Sequence, residues 1–486
     1  MGLLDHKKRK LSVPAEVLLP RNERPASLFC RGVMEHERVP TVSQALLARY
    51  DVPGPRYTSY PAVPDWTGGV NASNWNAHLG TLGTTDAPLA LYVHLPFCAS
   101  RCLYCGCNAT VTTREEIVER YLTRLRKELG MLQQAMGGKP RVVEMHWGGG
   151  TPNFLANRQI EAAFRMLGDV FAFDANTEHS VEADPRLVSR EQLRTFRDLG
   201  FSRISYGVQD LDPVVQEAIG RVQPESLVRD AVEMAREEGF TGLNLDLIYG
   251  LPHQTPERFA ATIEGALSFD PDRVACFGYA HVPWMRAHQK RIDESALPVS
   301  WERFALFQGA VRRFLESGYE WIGIDHFAKG GDPLTQAYNR GTLARNFMGY
   351  TTRSGESLLG VGVSSISEVN GWFVQNEPEL GGWQRAIDAE HLPVARGHIM
   401  TDDDRVRSAA ISHLMCNAEL PFALVPGDVN ALLDRYTPFV EDGFITIEPD
   451  RVQVTPLGRF FLRNLAFALD AYRSATDGPR RFSRAV

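Results

Sequence analysis

Four cysteines fall within one short run, Cys98-Ala-Ser-Arg-Cys102-Leu-Tyr-Cys105-Gly-Cys107. Thiols at gaps of three and two residues on a single loop can wrap one inorganic centre. Zinc favours four ligands, commonly from two separated pairs, and no second CxxC pair occurs in the sequence. A redox pair through Cys102 and Cys105 would leave Cys98 and Cys107 without a part. Three thiolates around a [4Fe–4S] cluster leave one iron open, and an open iron can bind and activate a small molecule. Buried structural thiols are the plain alternative to all of these. Cys30, Cys276 and Cys416 stand apart and read as ordinary residues.

A second run able to do chemistry is Gly148-Gly149-Gly150-Thr151-Pro152, whose glycines let the backbone approach a ligand closely while offering N–H and C=O groups. Both runs follow apolar stretches that read as strands: LALYVHL (89–95) before the cysteines and RVVEMHW (141–147) before the glycines. HSVEAD (179–184), SRISYG (202–207), LNLDLIYG (243–250) and DRVACFGYA (272–280) repeat the pattern. Between the first two strands, Ile117, Tyr121, Leu122, Leu125 and Leu129 recur at helical spacing, and further helices fit 157–171, 190–199, 225–239 and 256–268. This alternation predicts parallel strands with crossover helices, closing into a full or partial barrel, with a doubly wound open sheet as the alternative. Polar residues then stand at successive strand ends: Glu182 with Asp184, Gln209 with Asp210, Asp246, and Tyr279-Ala280-His281. In a barrel those ends converge on one face, where ligands bind.

The 486 residues carry 52 Lys+Arg against 59 Asp+Glu, a net charge of −7, with 44% hydrophobic residues. A disordered or fibrous chain is excluded, and no global basic field draws nucleic acid or anionic membrane. No run approaches the roughly 18 apolar residues that suggest a spanning helix. The stretch MGLLDHKKRK lacks the apolar core of a signal peptide, and His6 stands where a myristoylation signal has Ser or Thr. Seven cysteines are too few for a disulfide scaffold. A cytoplasmic monomer is expected. Residues 1–40 read as a mobile extension with a second start at Met34, 41–85 as a segment covering the site, 86–375 as the βα domain and 376–486 as a C-terminal domain. There, a helix from Asp404 to Leu420, a hairpin of FITI (444–447) and VQV (452–454), and a last helix over 457–473 give a mainly helical, winged-helix-like unit. With Asp402, Asp403 and Asp404 beside it, a lid or substrate cap is the expected role instead of DNA binding.

The spacing CxxxCxxC with Tyr104 before the third cysteine resembles the signature of the radical S-adenosylmethionine (SAM) enzymes. The resemblance narrows along the chain. GPRYTSYP (54–61), LYVHLPFCASRCLYCGCN (91–108), HWGGGTP (146–152), VEADPR (181–186), GVQD (207–210), NLDLIYGLPHQTPE (244–257), YAHVP (279–283), DHFA (325–328), RNFMGYTT (345–352) and LLGVGVSSIS (358–367) are similar in order and spacing to the oxygen-independent coproporphyrinogen III oxidase family. The similarity runs from about Val42 to the closing FSRAV. It implies an α/β fold, a partial (β/α)6 radical SAM barrel with a C-terminal mainly helical domain. It also implies the oxidative decarboxylation of two propionates of coproporphyrinogen III to vinyl groups, giving protoporphyrinogen IX on the anaerobic route to haem.

By the same resemblance Cys98, Cys102 and Cys105 ligate a [4Fe–4S] cluster, and two SAM molecules bind. Tyr92, Gly149, Glu182 and Ile366 match positions around the first SAM. Tyr104, Gly150, Thr151, Gln209, Arg221, Asp246 and Ala280 match those around the second. An outside electron donor such as flavodoxin or ferredoxin is implied. No residue receives a catalytic role, because radical decarboxylation of an ionised carboxylate needs no general acid for its first abstraction; His281 and Asp325-His326 therefore stay unassigned. Cys107 marks the family without a role, and Met348 stands where many members have Gln. An acidic chain must gather cations locally for four substrate carboxylates, and Arg56 and Arg345, in family runs outside the SAM set, are the expected contacts. Rival readings are a haem chaperone or an anaerobic haem-degrading enzyme, and a zinc- or DNA-binding regulator; the chaperone class lacks the fourth cysteine.

Overall fold

The run LALYVHL forms strand β1 (Leu89–Leu95), buried along its length apart from Tyr92, because it lies between two parallel neighbours. The computed structural model describes residues 39–66, 68–83, 87–353 and 355–473. All but the last two residues of the expected extension 1–40, with KKRK, Cys30 and Met34, lie outside the described residues, as does FSRAV.

After β1 come β2 (Val142–Gly149), β3 (Glu178–Ala183), β4 (Phe201–Gln209), β5 (Gly242–Tyr249) and β6 (Arg273–Gly278), each parallel to the one before. Spatial order follows chain order without a switch point, which sets the doubly wound alternative aside. Beyond β6 the sheet continues antiparallel through β8 (His326–Lys329) to β7 (Tyr319–Ile322). On the other side of β1, β9 (Ser357–Val361) pairs parallel, and β10 (Ile366–Val369), β11 (Trp372–Asn376) and β12 (Val394–Ile399) follow antiparallel. The end strands β12 and β7 do not pair with each other, so the barrel is partial and open. β12 lies past residue 376, so the main sheet runs on to Ile399.

Side chains alternate along these strands with period two. Met145, Trp147, Val181, Ile204, Tyr206, Leu245 and Leu247 are buried against the helices, as the Trp147 ring against Phe196 (6.2 Å) and the Tyr206 hydroxyl on the Ala231 carbonyl (3.1 Å) illustrate. Glu144, His146, Ser180, Glu182, Ser205, Asn244 and Asp246 occupy the intervening positions and face the concave side. The crossover helices are α1 (Glu115–Met136), α2 (Asn157–Val170), α3 (Arg190–Asp198), α4 (Glu225–Glu237) and α5 (Pro256–Ser268). Ser189 and Thr255 cap α3 and α5 through their hydroxyls, and α1 ends at Gly137 in the left-handed region (φ 67°). On α1 the buried stripe includes Val118 and not Ile117, the first residue of the expected set.

α1 also carries a buried acid. Glu128 accepts the Gly362 N–H (3.0 Å) and the Asn376 side-chain amide (2.7 Å), while the Tyr121 hydroxyl donates to the His94 carbonyl (2.6 Å) and accepts the Val363 N–H (3.2 Å). Gly362 must be glycine here: its φ is +95°, and a Cβ would lie 2.4 Å from that hydroxyl. The turn between β9 and β10 is thus fixed from behind the sheet.

The C-terminal unit has the expected winged-helix-like outline, with two differences in its helices. The helix read to Leu420 spans Asp402–Asn417, because Ala418 turns left-handed (φ 53°) and Glu419–Pro421 joins the hairpin strands Ile445–Ile447 and Arg451–Val454 in a small sheet. The helix read over 457–473 is a 3₁₀ turn, Gly458–Phe461, followed by a short helix, Leu462–Phe467. Its tail is pulled straight by tertiary contacts: Ala471 N–H to the Tyr60 hydroxyl (2.9 Å), Tyr472 to Asp404 (2.9 Å) and Arg473 to the Pro53 carbonyl (3.0 Å). A further helix, Val429–Glu441, was not foreseen; Pro438 sits inside it.

Burial pushes the Glu128 carboxyl up to about 8, outweighing the N–H donors that favour its charged form. An acid whose pKa is higher folded than unfolded contributes stability below its unfolded value and loses it as pH rises through about 8. The stability of the wild type relative to Glu128→Gln, read by anaerobic urea unfolding, is expected to fall by on the order of 3 kcal/mol between about pH 5 and about pH 9. A difference that stays flat across this window would contradict the shift.

Candidate active site

The cysteine loop leaves β1 through Phe97–Cys98, which pairs with Thr110–Val111 and closes the loop at its base. Its far side is held by other parts of the chain: the Leu103 N–H donates to the Ile219 carbonyl (2.8 Å), His288 Nε2 to the Cys105 carbonyl (2.7 Å) and the Gln289 amide to the Tyr104 carbonyl (2.9 Å). The loop faces the C-terminal ends of β2 to β6 across a cavity of about 590 Å³. Cys98, Cys102, Cys105 and Cys107 line one wall of it.

Buried Arg221 ties that wall to the strand ends. It stands 3.5 Å from the Cys102 sulfur and 3.2 Å from Asp184 Oδ2, and it donates to the Gly207 carbonyl (2.6 Å). Arg186 also pairs with Asp184 (2.6 Å) and comes within 3.9 Å of the same sulfur. Burial works against the Asp184 carboxylate, yet Arg186 and Arg221 overcome it and hold its pKa below the usual range. Two guanidinium groups facing one sulfur supply the positive field a coordinating thiolate needs. Among the described residues, no three Cys, His, Asp or Glu side chains converge on a single ion. The thiols instead border a larger space, which suits a polynuclear cluster with a small molecule beside it.

The glycine run passes through a gap that admits no side chain. A Cβ on Gly148 would lie 3.0 Å from the Glu182 carboxyl, one on Gly149 (φ +117°) 2.8 Å from the His94 ring, and one on Gly150 2.6 Å from the Phe97 carbonyl oxygen. The amides do not stay free for a ligand, as the sequence suggests. Gly149 N–H goes to Glu182 (3.2 Å), Gly150 N–H to the Leu95 carbonyl (2.9 Å) and Thr151 N–H to the Phe97 carbonyl (2.8 Å), leaving carbonyl oxygens as what the run can offer. Glu182 is also paired with His146 (3.2 Å). Burial opposes the Glu182 charge, but His146 and the Gly149 amide prevail and hold its pKa low. Across the cavity, burial and the charge of Glu182 push the Asp246 carboxyl up to about 6, in spite of donors from Asn244 (2.8 Å) and Ser205 (3.2 Å).

With the cluster candidates Cys98, Cys102 and Cys105, the cavity brings together Tyr104, Gly150, Thr151 and Glu182. Gln209, Arg221, Asp246 and Ala280 line it too. Tyr92, Gly149 and Ile366 do not line it. Tyr92 stands behind, its hydroxyl 3.1 Å from His94 Nδ1 and its ring stacked on His146 at 6.1 Å. Gly149 reaches it only through Glu182, and Ile366 lies on β10 with its backbone against Gly360. His94, His146, Arg186 and Gln289 escaped the sequence reading; the alternation of β2 puts His146 on the face of Glu144 and could have pointed to it. Arg56 and Arg345 meet outside this cavity, with the Arg345 guanidinium on the Arg56 carbonyl (3.1 Å) and Arg56 3.8 Å from Asp325, which also accepts from His326 (2.7 Å). His281 bridges Tyr279 (2.8 Å) and Glu294 (3.0 Å).

Residues 92–266 match the model of the Radical SAM superfamily and residues 400–461 that of the HemN C-terminal domain. Oxygen-independent coproporphyrinogen III oxidase of Synechocystis sp. is 37% identical over 461 residues, covering 92% of this chain and 99% of its own. The protein of the same name from Escherichia coli K12 is 37% identical over 450 residues, 91% of this chain and 98% of its own. The solved coproporphyrinogen III oxidase (HemN) from Escherichia coli, described as a radical SAM enzyme, superposes with a TM-score of 0.82 at 37% identity, over 86% of this chain and 98% of that one.

Gly150→Ala drives a methyl group into the base of the cysteine loop, and after anaerobic reconstitution it is expected to retain less than about a tenth of the wild-type iron, a loss of the size a clash costing more than ~1.4 kcal/mol would give. Gly168→Ala, on α2 with open space around it, is expected to keep its iron and gain about 0.5–1 kcal/mol from helix propensity. Equal iron in both would show that the glycine gap does not hold the loop.

Proposed function

We infer that this chain, which belongs to the family of oxygen-independent coproporphyrinogen III oxidases, uses the cysteine loop and the strand ends facing it as the site of a radical SAM reaction. The reaction is the oxidative decarboxylation of two propionates of coproporphyrinogen III to vinyl groups, giving protoporphyrinogen IX in haem biosynthesis. Its cofactors are a [4Fe–4S] cluster and SAM, two molecules of the latter. The observation that carries the assignment of residues is the single cavity with thiols on one wall and Glu182, Gln209 and Asp246 on the other.

When bound, the cluster and SAM supply a carbon-centred radical able to take hydrogen from an unactivated CH₂ group. Cys98, Cys102 and Cys105 hold the cluster in our assignment, and Arg221 with Arg186 offsets the negative charge at Cys102. Glu182, fixed as a carboxylate by His146 and the Gly149 N–H, would accept hydrogen bonds from hydroxyl groups of the first SAM, while Tyr92, Gly149 and Ile366, matched to the same SAM by resemblance, stand outside the cavity lining. Tyr104, Gly150, Thr151, Gln209, Arg221, Asp246 and Ala280, which line the same cavity, would hold the second SAM. The loop stands over the strand ends but leaves the cavity partly open, with Cys107 exposed, so bound cofactors and substrate would have to exclude the remaining water from a reactive radical.

The segment from residue 41 covers the site, the domain whose sheet runs on to Ile399 carries the chemistry, and the unit from Asp402 acts as its cap. Flavodoxin or ferredoxin fits as the electron donor. An acidic surface offers nucleic acid no attraction, and no helix among the described residues is long and apolar enough to cross a membrane. Cysteines kept free to ligate an oxygen-sensitive cluster suit a reducing cytoplasm, and a monomer is the state we propose.

Anaerobic incubation with coproporphyrinogen III, SAM and a reductant is expected to release carbon dioxide and form both vinyl groups. Cys98→Ala, Cys102→Ala and Cys105→Ala are each expected to lose the iron and all detectable turnover. Transfer of haem without vinyl formation, or zinc in place of iron, would overturn the reading.

A further inference from the structure

The chain that follows β6 turns back onto the far side of the cysteine loop and is pinned there. Buried Gln289 donates to the carbonyls of Tyr104 (2.9 Å) and Ala280 (3.2 Å) and accepts the Val282 N–H (2.6 Å), while His288 Nε2 donates to the Cys105 carbonyl (2.7 Å). Between these pins the Met285 and Arg286 N–H groups close a turn on the Val282 carbonyl (2.9 Å each), and Ala287–Arg291 forms a 3₁₀ turn.

The pins leave an apolar and basic set of side chains outside. Met285 is the most exposed of the large apolar side chains described, at 68%, and Trp284 next to it is 52% exposed. Lys290 and Arg291 are exposed and Arg286 is partly so. None of these three cations pairs with a carboxylate among the described residues. Of the acids that follow, Asp293 accepts the Ser295 N–H (2.9 Å) and Glu294 is taken by His281 (3.0 Å). The charges of Arg101 and Arg286 both reach the Cys105 thiol. Val282 lines the cysteine-lined cavity, but no residue from Trp284 to Arg291 does, so this surface lies outside the space assigned to the chemistry.

We propose that residues 284–291 are the docking surface for a small acidic protein that carries single electrons and reduces the cluster. The proposal rests on the function inferred above. An indole and a thioether flanked by guanidinium and ammonium groups have the composition of a protein interface. A chain of net charge −7 repels an acidic partner over most of its surface, and unpaired cations at one place draw the partner there and orient it. The chain's own ends make poor occupants: residues 1–38 and 474–486 each carry more Lys and Arg than Asp and Glu, so the patch repels them. The transfer forms and breaks no bond; the carrier is oxidised by one electron and the cluster reduced by one. His288 joins the patch directly to the backbone of a cluster cysteine.

The test uses the anaerobically reconstituted holoenzyme, with a reduced acidic flavodoxin as the probe and cluster bleaching as the readout. Lys290→Glu/Arg291→Glu is expected to keep the wild-type iron content and the wild-type rate of bleaching by photoreduced deazariboflavin, a small reductant that needs no docking. Its second-order rate with flavodoxin is expected to fall about 10-fold or more at low salt, the size of a lost electrostatic attraction. Added salt is expected to slow the wild type toward the variant, and Lys290→Arg/Arg291→Lys, which keeps both charges, to react as the wild type does. Trp284→Ala is expected to weaken flavodoxin binding, read by calorimetry, with its salt dependence kept. An unchanged flavodoxin rate in the charge-reversed variant, or an equal loss with deazariboflavin, overturns the docking surface. So does a raised KM for coproporphyrinogen III with deazariboflavin as reductant, which gives the patch to the substrate, or a wild-type dimer that the variant splits, which gives it to a second copy. A wild type whose cluster flavodoxin reduces at the patch but which forms no vinyl groups overturns the functional reading and leaves the docking surface standing.

Discussion

The contact of Arg221 with Asp184 and the Cys102 sulfur joins three pieces of chain far apart in sequence: the loop after β1, the end of β3 and the segment after β4. All three side chains are buried, and a buried pair deprived of one partner costs about 3–5 kcal/mol because the other charge stays behind unpaired. The surrounding geometry follows from keeping this contact whole. Gly207 has no side chain because a Cβ there would meet the Gln209 amide at 2.7 Å and Arg221 at 3.2 Å, and Gln209 takes a left-handed backbone (φ 67°) at the strand end. Arg186 adds a second guanidinium beside the Asp184 carboxylate and the Cys102 sulfur.

The same concave face is divided along its height. Low in the barrel, polar side chains satisfy one another: Thr351 donates to Glu144 (3.0 Å), and Asp332 takes Arg273 at 2.8 Å and Arg203 at 3.7 Å. High in the barrel, His146 holds the Glu182 carboxyl low and Arg186 with Arg221 holds Asp184 low, whereas burial and the charge of Glu182 push Asp246 up. The carboxylates at the top border the cavity and are the ones a ligand can reach, as expected of the C-terminal end of a parallel barrel.

The parallel strands and their helices were legible because burial on one face and polarity on the other imprint a period on the sequence: four crossover helices and six strands lie within a few residues of their expected bounds, and the first helix contains the expected stripe from Tyr121 to Leu129. The antiparallel strands β10 to β12 were not, since short strands at the margin of a sheet carry too few residues for a pattern. Helix Val429–Glu441 was hidden by Pro438, and the last helix was overextended because only contacts to Tyr60, Asp404 and Pro53 straighten its tail. The cavity's cysteines, glycines and carboxylates were visible through spacing and family resemblance together. Its supporting residues His94 and Arg186 were not, because their parts depend on partners that only the folded chain brings near.

β1 is the strand from which the cysteine loop departs, and its two parallel partners are β2 and β9, with Leu89 set against both Val142 and Ser357. During synthesis the first partner emerges early, whereas the second leaves the ribosome only after the whole run of βα units between them. Until Val361 is available, one edge of this largely apolar strand has no ladder, and the turn at Gly362 that braces His94 through Tyr121 does not exist. The nascent chain therefore carries an exposed, aggregation-prone edge beside unmetallated thiols for most of its translation. The loop that leaves β1 gains its complete support only once Ser357–Val361 has paired with that strand, which ties the metal site to the sheet-closing step of folding.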